Sequence, residues 1–150
     1  MLDVYLDGDG CPVKDEAYRV AARYGLTVFV VSNRAIFVPD DPRIHRIRVA
    51  AGPDEADHWI AEHIGADDIA ITADIPLAAR CLERGARVLD TRGERFSKDT
   101  IGEALAMREL MQELRDLGNN VGGPAPMSPR DRSRFLSRLD ETIQSIRRRS

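Results

Sequence analysis

The chain has 150 residues, enough for one domain with a substantial core and too few for two. It is 43% apolar, 31% charged and only 5% aromatic, which is a globular composition, and no apolar run approaches the roughly 18 residues that cross a bilayer. Residues 1–120 carry 15 basic and 22 acidic side chains, whereas residues 121–150 carry seven arginines against three acids. An acidic body argues against a protein that coats nucleic acid nonspecifically, because such binding rests on cationic contacts, yet it leaves room for an enzyme that meets phosphates through bound cations.

In chain order, LDVYLD at 2–7 reads as a short buried strand, followed by the turn DGDG. Pro12 suits the first turn of a helix that runs through KDEAYRVAARY and stops at Gly25. LTVFVVS at 26–32 is an apolar, β-branched run of the kind covered on both faces of a sheet. Residues 33–43 contain two prolines and read as a loop, and IHRIRVA at 44–50 is a weaker third strand. DEADHWIAEHI at 54–64 has helical spacing, DIAIT at 68–72 returns to strand, Pro76 opens a third helix and ARVLD at 86–90 is a fifth strand before the loop TRGERFSK. This alternation predicts an α/β fold with a doubly wound, mostly parallel sheet. A long helix follows from about Asp99 to Leu117, with Ser97 as its cap. After the Gly/Pro-rich stretch 119–129, a final helix starting at Ser128 and Pro129 carries Phe135, Leu136, Leu139, Ile143 and Ile146. The domain is therefore read as 1–118, with 119–150 as a loop and C-terminal helix packed on it, since that helix cannot bury its apolar face alone.

The chemical signal is positional. Asp7 and Asp9 follow the first strand, Asp54 and Asp57 the third, Asp74 the fourth, and Asp90 ends the fifth. Strand ends of a parallel sheet share one edge, which is where such folds bind ligands. Carboxylates gathered there repel, and a hard cation such as Mg²⁺ or Mn²⁺ relieves that cost and polarises a phosphodiester. The plainer role of any single acid is a helix cap, which fits Asp54 and Asp74; Asp57 lies a turn inside its helix, so capping does not explain both it and Asp54.

DGDGCPVK at 7–14, VSN at 31–33, GPDEADHWI at 52–60, ITADIPLAARCLERGARVLDTRGERFS at 71–97 and GGPAPMSPRDRSRF at 122–135 resemble the YaiI/YqxD family of uncharacterised bacterial proteins. That family is related to PIN-like domains, many of which are metal-dependent ribonucleases. The resemblance implies a PIN-like fold in which Asp7 is the first-strand metal ligand, Asp74 the late-strand ligand, and Asp57 or Asp54 the acid of the middle helix. The chain departs from the plain PIN pattern in its second first-strand acid, Asp9, in the Cys11-Pro12 that follows, and in its C-terminal helix.

The leading functional expectation is a divalent-metal-dependent nuclease, RNA favoured, with Asp7, Asp9, Asp57 and Asp74 catalytic and Asp54 a further candidate ligand. Asn33 and Thr72 end strands near the expected pocket, and Arg92, Arg95 and Lys98 follow the fifth strand as candidates for phosphate contacts. Two other readings stay open. LDVYLDGDG has the look of a haloacid-dehalogenase-type phosphatase, with Asp7 as nucleophile, Asp9 as general acid and Thr72 and Lys98 as further motif residues. Alternatively, the pocket binds RNA or a nucleotide without cutting it. Cys11, at a helix N-terminus, is a weak candidate for an activated thiol. The absence of a signal-peptide pattern and of a disulfide framework points to the cytoplasm.

Overall fold

The computed structural model describes residues 1–119 and 125–149. Its six strands are β1 (Asp3–Asp7), β2 (Thr27–Ser32), β3 (Ile44–Arg48), β4 (Ile69–Ile71), β5 (Arg87–Leu89) and β6 (Arg95–Phe96). Its helices are α1 (Lys14–Tyr24), α2 (Glu55–His63), α3 (Ile75–Glu83), α4 (Ile101–Asp116) and α5 (Pro129–Arg149), with a 3-10 turn at Gly8–Gly10. They build one sheet in the order β3-β2-β1-β4-β5-β6, parallel except for β6. The strand order reverses direction between β1 and β4, and that reversal opens a crevice at their carboxyl ends.

The apolar runs explain the layers. Alternate residues of each central strand face opposite sides, so Val4 and Leu6 of β1 join α1 and α5 on one face, while Tyr5 joins α2 and α3 on the other. Phe135, Leu139 and Ile143 of α5 are fully buried in the first of these cores, which makes the last helix part of the domain's own packing. No helix among the described residues is long and apolar enough to cross a membrane.

Local signals set the boundaries. Gly25 ends α1 at φ +66°, a left-handed conformation that glycine adopts without steric cost. Asp74 caps α3, accepting the Leu77 N–H at 2.9 Å, and Pro76 occupies the first turn behind it. Ser128 and Asp131 cap α5 reciprocally, each side chain accepting the other's backbone N–H. The segment TRGERFSK departs from the expected loop: Arg95 and Phe96 pair antiparallel with Leu89 and Val88. Ser97 does not cap α4 as expected: Thr100 stands at the N-cap without a side-chain capping bond, and Ser97 and Thr100 exchange backbone-to-hydroxyl hydrogen bonds at 3.2 Å in the turn before the helix.

Candidate functional site

Asp7, Asp9, Asn33, Arg34, Asp57 and Asp74 line a crevice of about 350 Å³ at the β1/β4 switch point, with Gly52, Pro53 and Ala56 completing the wall. A larger cavity of about 500 Å³ lies among Leu2, Leu26, Asp67 and Asp68. That cavity is at the amino edge of the strands, where α/β sheets do not position ligands, so size alone does not make it the site.

Each acid is held by its own local structure. Asp7 closes β1 and accepts the Thr72 hydroxyl at 3.0 Å; Thr72, buried at the end of β4, in turn accepts the Asp74 N–H at 3.0 Å. One hydroxyl thus links the ends of the two strands that flank the switch point. Asp9 sits in the 3-10 turn after β1 and faces the end of β2. It accepts the Ser32 hydroxyl at 2.5 Å, the Asn33 N–H at 3.1 Å and Arg34 Nε at 3.4 Å. The turn needs glycine at position 8, because a Cβ there would lie 2.9 Å from the Val31 carbonyl oxygen.

The electrostatics separate these carboxylates into two kinds. Burial pushes the Asp9 carboxyl up, but the hydrogen bonds from Ser32, Asn33 and Arg34 outweigh it and hold its pKa below the usual value. Burial raises the pKa of Asp7, with repulsion from Asp74 and Asp9 adding to it and the Thr72 hydroxyl opposing. Asp57 is pushed up to about 7, by burial first, then by the charges of Asp74, Asp7 and Asp54, and by a hydrogen bond to Asp74 that needs its proton. Asp7, Asp57 and Asp74 therefore form a mutually repelling set, and the Arg34 guanidinium beside them is turned to Asp9. A hard divalent cation suits such a set of oxygen donors. Among the described residues, however, no group of three or more His, Cys, Asp or Glu side chains stands close enough to hold an ion. The donors fit a cation in their chemistry, and binding one requires the carboxylates to draw closer than they stand.

Other candidates take different places. Asp54 precedes α2 without a side-chain capping bond, is exposed, is not among the residues lining the crevice, and raises the pKa of Asp57 through its charge. Asp90 does not line the crevice; it accepts the Arg92 and Glu94 N–H groups and shapes the β5–β6 turn. Arg92 is bound by Asp131 at 2.6 Å and by the Ala125 carbonyl, and Arg95 by Glu141 at 2.9 Å, so both tie that turn to the C-terminal segment. Lys98 is exposed and, like the two arginines, is not among the residues lining the crevice. Cys11 is buried, and desolvation raises its thiol to about 11, which overrides any effect of the helix terminus and leaves it inert near neutral pH.

Residues 5–145 match the family described as "Uncharacterized BCR, YaiI/YqxD family". The chain belongs to the YaiI/YqxD family. Its relatives include a UPF0178 protein of Rhodospirillum rubrum, 55% identical over 98% of this chain and 99% of the relative. Similar proteins occur in Parvibaculum lavamentivorans, 55% identical over 99% of this chain and 98% of the relative, and in a Bradyrhizobium strain, 54% identical over 98% and 90%. The chain spans nearly the whole length of these three relatives, and the crevice lies within the residues that match the family.

Arg34 is the charged crevice residue that sequence reading missed. A loop arginine after a strand looks like any solvated charge, and only the proximity of β2 to the 3-10 turn brings it to Asp9. The available signal was VSN itself, since Ser32 and Asn33 are the residues that fix Asp9 and thereby the start of that loop.

Proposed function

We propose that this protein is a divalent-metal-dependent phosphodiester hydrolase acting on RNA in preference to DNA, with a PIN-like arrangement of acids. The observation that carries this reading is the convergence of Asp7, Asp57 and Asp74, from β1, α2 and the β4–α3 junction, on one crevice where their charges repel. Repulsion left in place in a folded protein is a cost, and a bound cation turns it into affinity.

In this proposal Asp7, Asp57 and Asp74 hold Mg²⁺ or Mn²⁺, which supplies charge for the phosphate oxygens and a water acidic enough to attack near neutral pH. Thr72 holds both acids through one hydroxyl, which donates to the Asp7 carboxylate and accepts the Asp74 backbone N–H. Asp9, already satisfied by three donors, braces the β1 turn against β2 rather than acting as a ligand. Asn33 and Arg34, which line the crevice, are the groups proposed to meet a phosphate there, Arg34 by exchanging its contact with Asp9.

The phosphatase alternative is less well supported. It needs Asp9 as a free general acid, yet Asp9 accepts three hydrogen bonds and its pKa is depressed. It also needs a lysine committed to the nucleophile, whereas Lys98 does not line the crevice and Lys14, whose charge reaches Asp7, donates to the Cys11 carbonyl. The test is cleavage of labelled single-stranded RNA by purified protein with Mn²⁺. Cleavage that chelation stops and Asp7→Asn abolishes supports the proposal. Intact RNA and DNA with a metal-loaded protein would leave a binding module in its place.

A further inference from the structure

The loop at 33–43 and the edge strand β3 carry a surface that the acids do not account for. Phe37 is 89% exposed. A lone exposed phenylalanine is unremarkable by itself, and its setting is what matters here. Arg34, three residues earlier and so at most about 10 Å away along the chain, lines the crevice. Arg46, exposed on β3, donates from Nη1 to the Ile36 carbonyl at 3.2 Å, which holds its guanidinium beside the residue that precedes Phe37. Arg48, also exposed, is in register with Ser32, the residue whose hydroxyl fixes Asp9. Neither Arg46 nor Arg48 forms an ion pair among the described residues. Exposed Phe37 and the exposed arginines 46 and 48 thus share the loop and edge strand that adjoin Arg34 at the crevice, on a chain whose first 120 residues carry 22 acids against 15 bases.

Arginines on an edge strand have an ordinary use: they discourage strand-to-strand aggregation. That role explains Arg46 and Arg48 and is contradicted by Phe37, since an exposed ring beside the same edge promotes the association that the charges oppose. A flat ring flanked by cations is instead the combination that holds single strands, the ring stacking on an unpaired base and the cations meeting phosphates.

We infer that Phe37, Arg46 and Arg48 form a landing surface for single-stranded nucleic acid, with Phe37 stacking on an unpaired base and the arginines guiding the backbone past Arg34 to the acids. The inference rests on the hydrolytic reading for the fate of the strand, while binding itself requires no cleavage. A duplex, whose bases are stacked on each other, offers Phe37 no face.

Fluorescence anisotropy of labelled oligouridine, oligothymidine and a duplex, with EDTA present to suppress hydrolysis, tests it. Binding of either single strand in preference to the duplex is expected. Phe37→Ala should weaken it about tenfold and Phe37→Trp should retain it. Arg46→Ala and Arg48→Ala should each reduce the slope of log affinity against log salt by about 0.7. Leu117→Ala, which removes an exposed apolar side chain from the end of α4, should change nothing. The inference is overturned by absent single-strand binding, by preference for the duplex, by unchanged affinity in Phe37→Ala, or by arginine variants that aggregate yet bind like the wild type. Binding with these dependences but without Mn²⁺-dependent cleavage refutes the hydrolytic reading alone. Cleavage whose KM is unmoved by Phe37→Ala refutes the landing surface alone.

Discussion

Replacing Asp57 by asparagine removes one charge from the crevice while keeping a side chain that donates a hydrogen bond to Asp74. The folded pKa of Asp57 is about 7 against an ordinary 3.8. A carboxyl raised in this way contributes stability that is fully present below 3.8 and is lost as pH rises through about 7. Solvent reaches the group, so screening reduces the loss to roughly 1–2 kcal/mol. Against this stands the favourable interaction of a carboxylate in the first turn of α2, about 0.5 kcal/mol, which asparagine forfeits. The balance is a gain of about 1 kcal/mol for metal-free Asp57→Asn above neutral pH, or about 2–4 °C in Tm for a chain of this size. Near pH 4 the wild-type carboxyl is itself protonated and the gain should vanish. Thermal melts followed by circular dichroism from pH 4 to 8 in the presence of a chelator measure this directly. A variant less stable than wild type at pH 8, or a gain independent of pH, would refute the claim that Asp57 is pressed against its neighbours' charges.

Asp9→Asn should behave oppositely, because a carboxyl with a depressed pKa contributes stability above its unfolded value that is lost as pH falls through the folded one. Denaturant titration should show a loss of about 1 kcal/mol at pH 7 that shrinks under acid conditions. Thr72→Val leaves the Asp74 N–H and one Asp7 oxygen without their shared partner, so urea unfolding should register a cost of about 1–3 kcal/mol. Gly8→Ala places a Cβ 2.9 Å from a backbone carbonyl that cannot rotate away, and it should destabilise by about 1–3 kcal/mol in the same assay.

The fold was legible because strands such as TVFVVS and IAI are continuous apolar runs separated by helices with clear stops, and that pattern admits few arrangements. The antiparallel β6 was not legible, since two residues of edge pairing leave no periodicity to read. Among the acids, strand-end position identified Asp7 and Asp74 together with the strand-adjacent Asp57, all three of which line the crevice. The same rule also selected Asp90, which instead shapes a turn, because a carboxylate accepting backbone N–H groups at a strand end has the same sequence signature as one facing a pocket. Arg92 and Arg95 were misplaced for a related reason: nothing local reveals that α5 returns to supply Asp131 and Glu141 as their partners.

The central claim, that Asp7, Asp57 and Asp74 share a divalent cation, is tested most directly by anomalous scattering from crystals soaked in Mn²⁺. A peak bounded by those three carboxylates, with Asp9 still held by Ser32 and Asn33, is the predicted result. A crevice without a peak at saturating Mn²⁺, or a peak held by other residues, would contradict it.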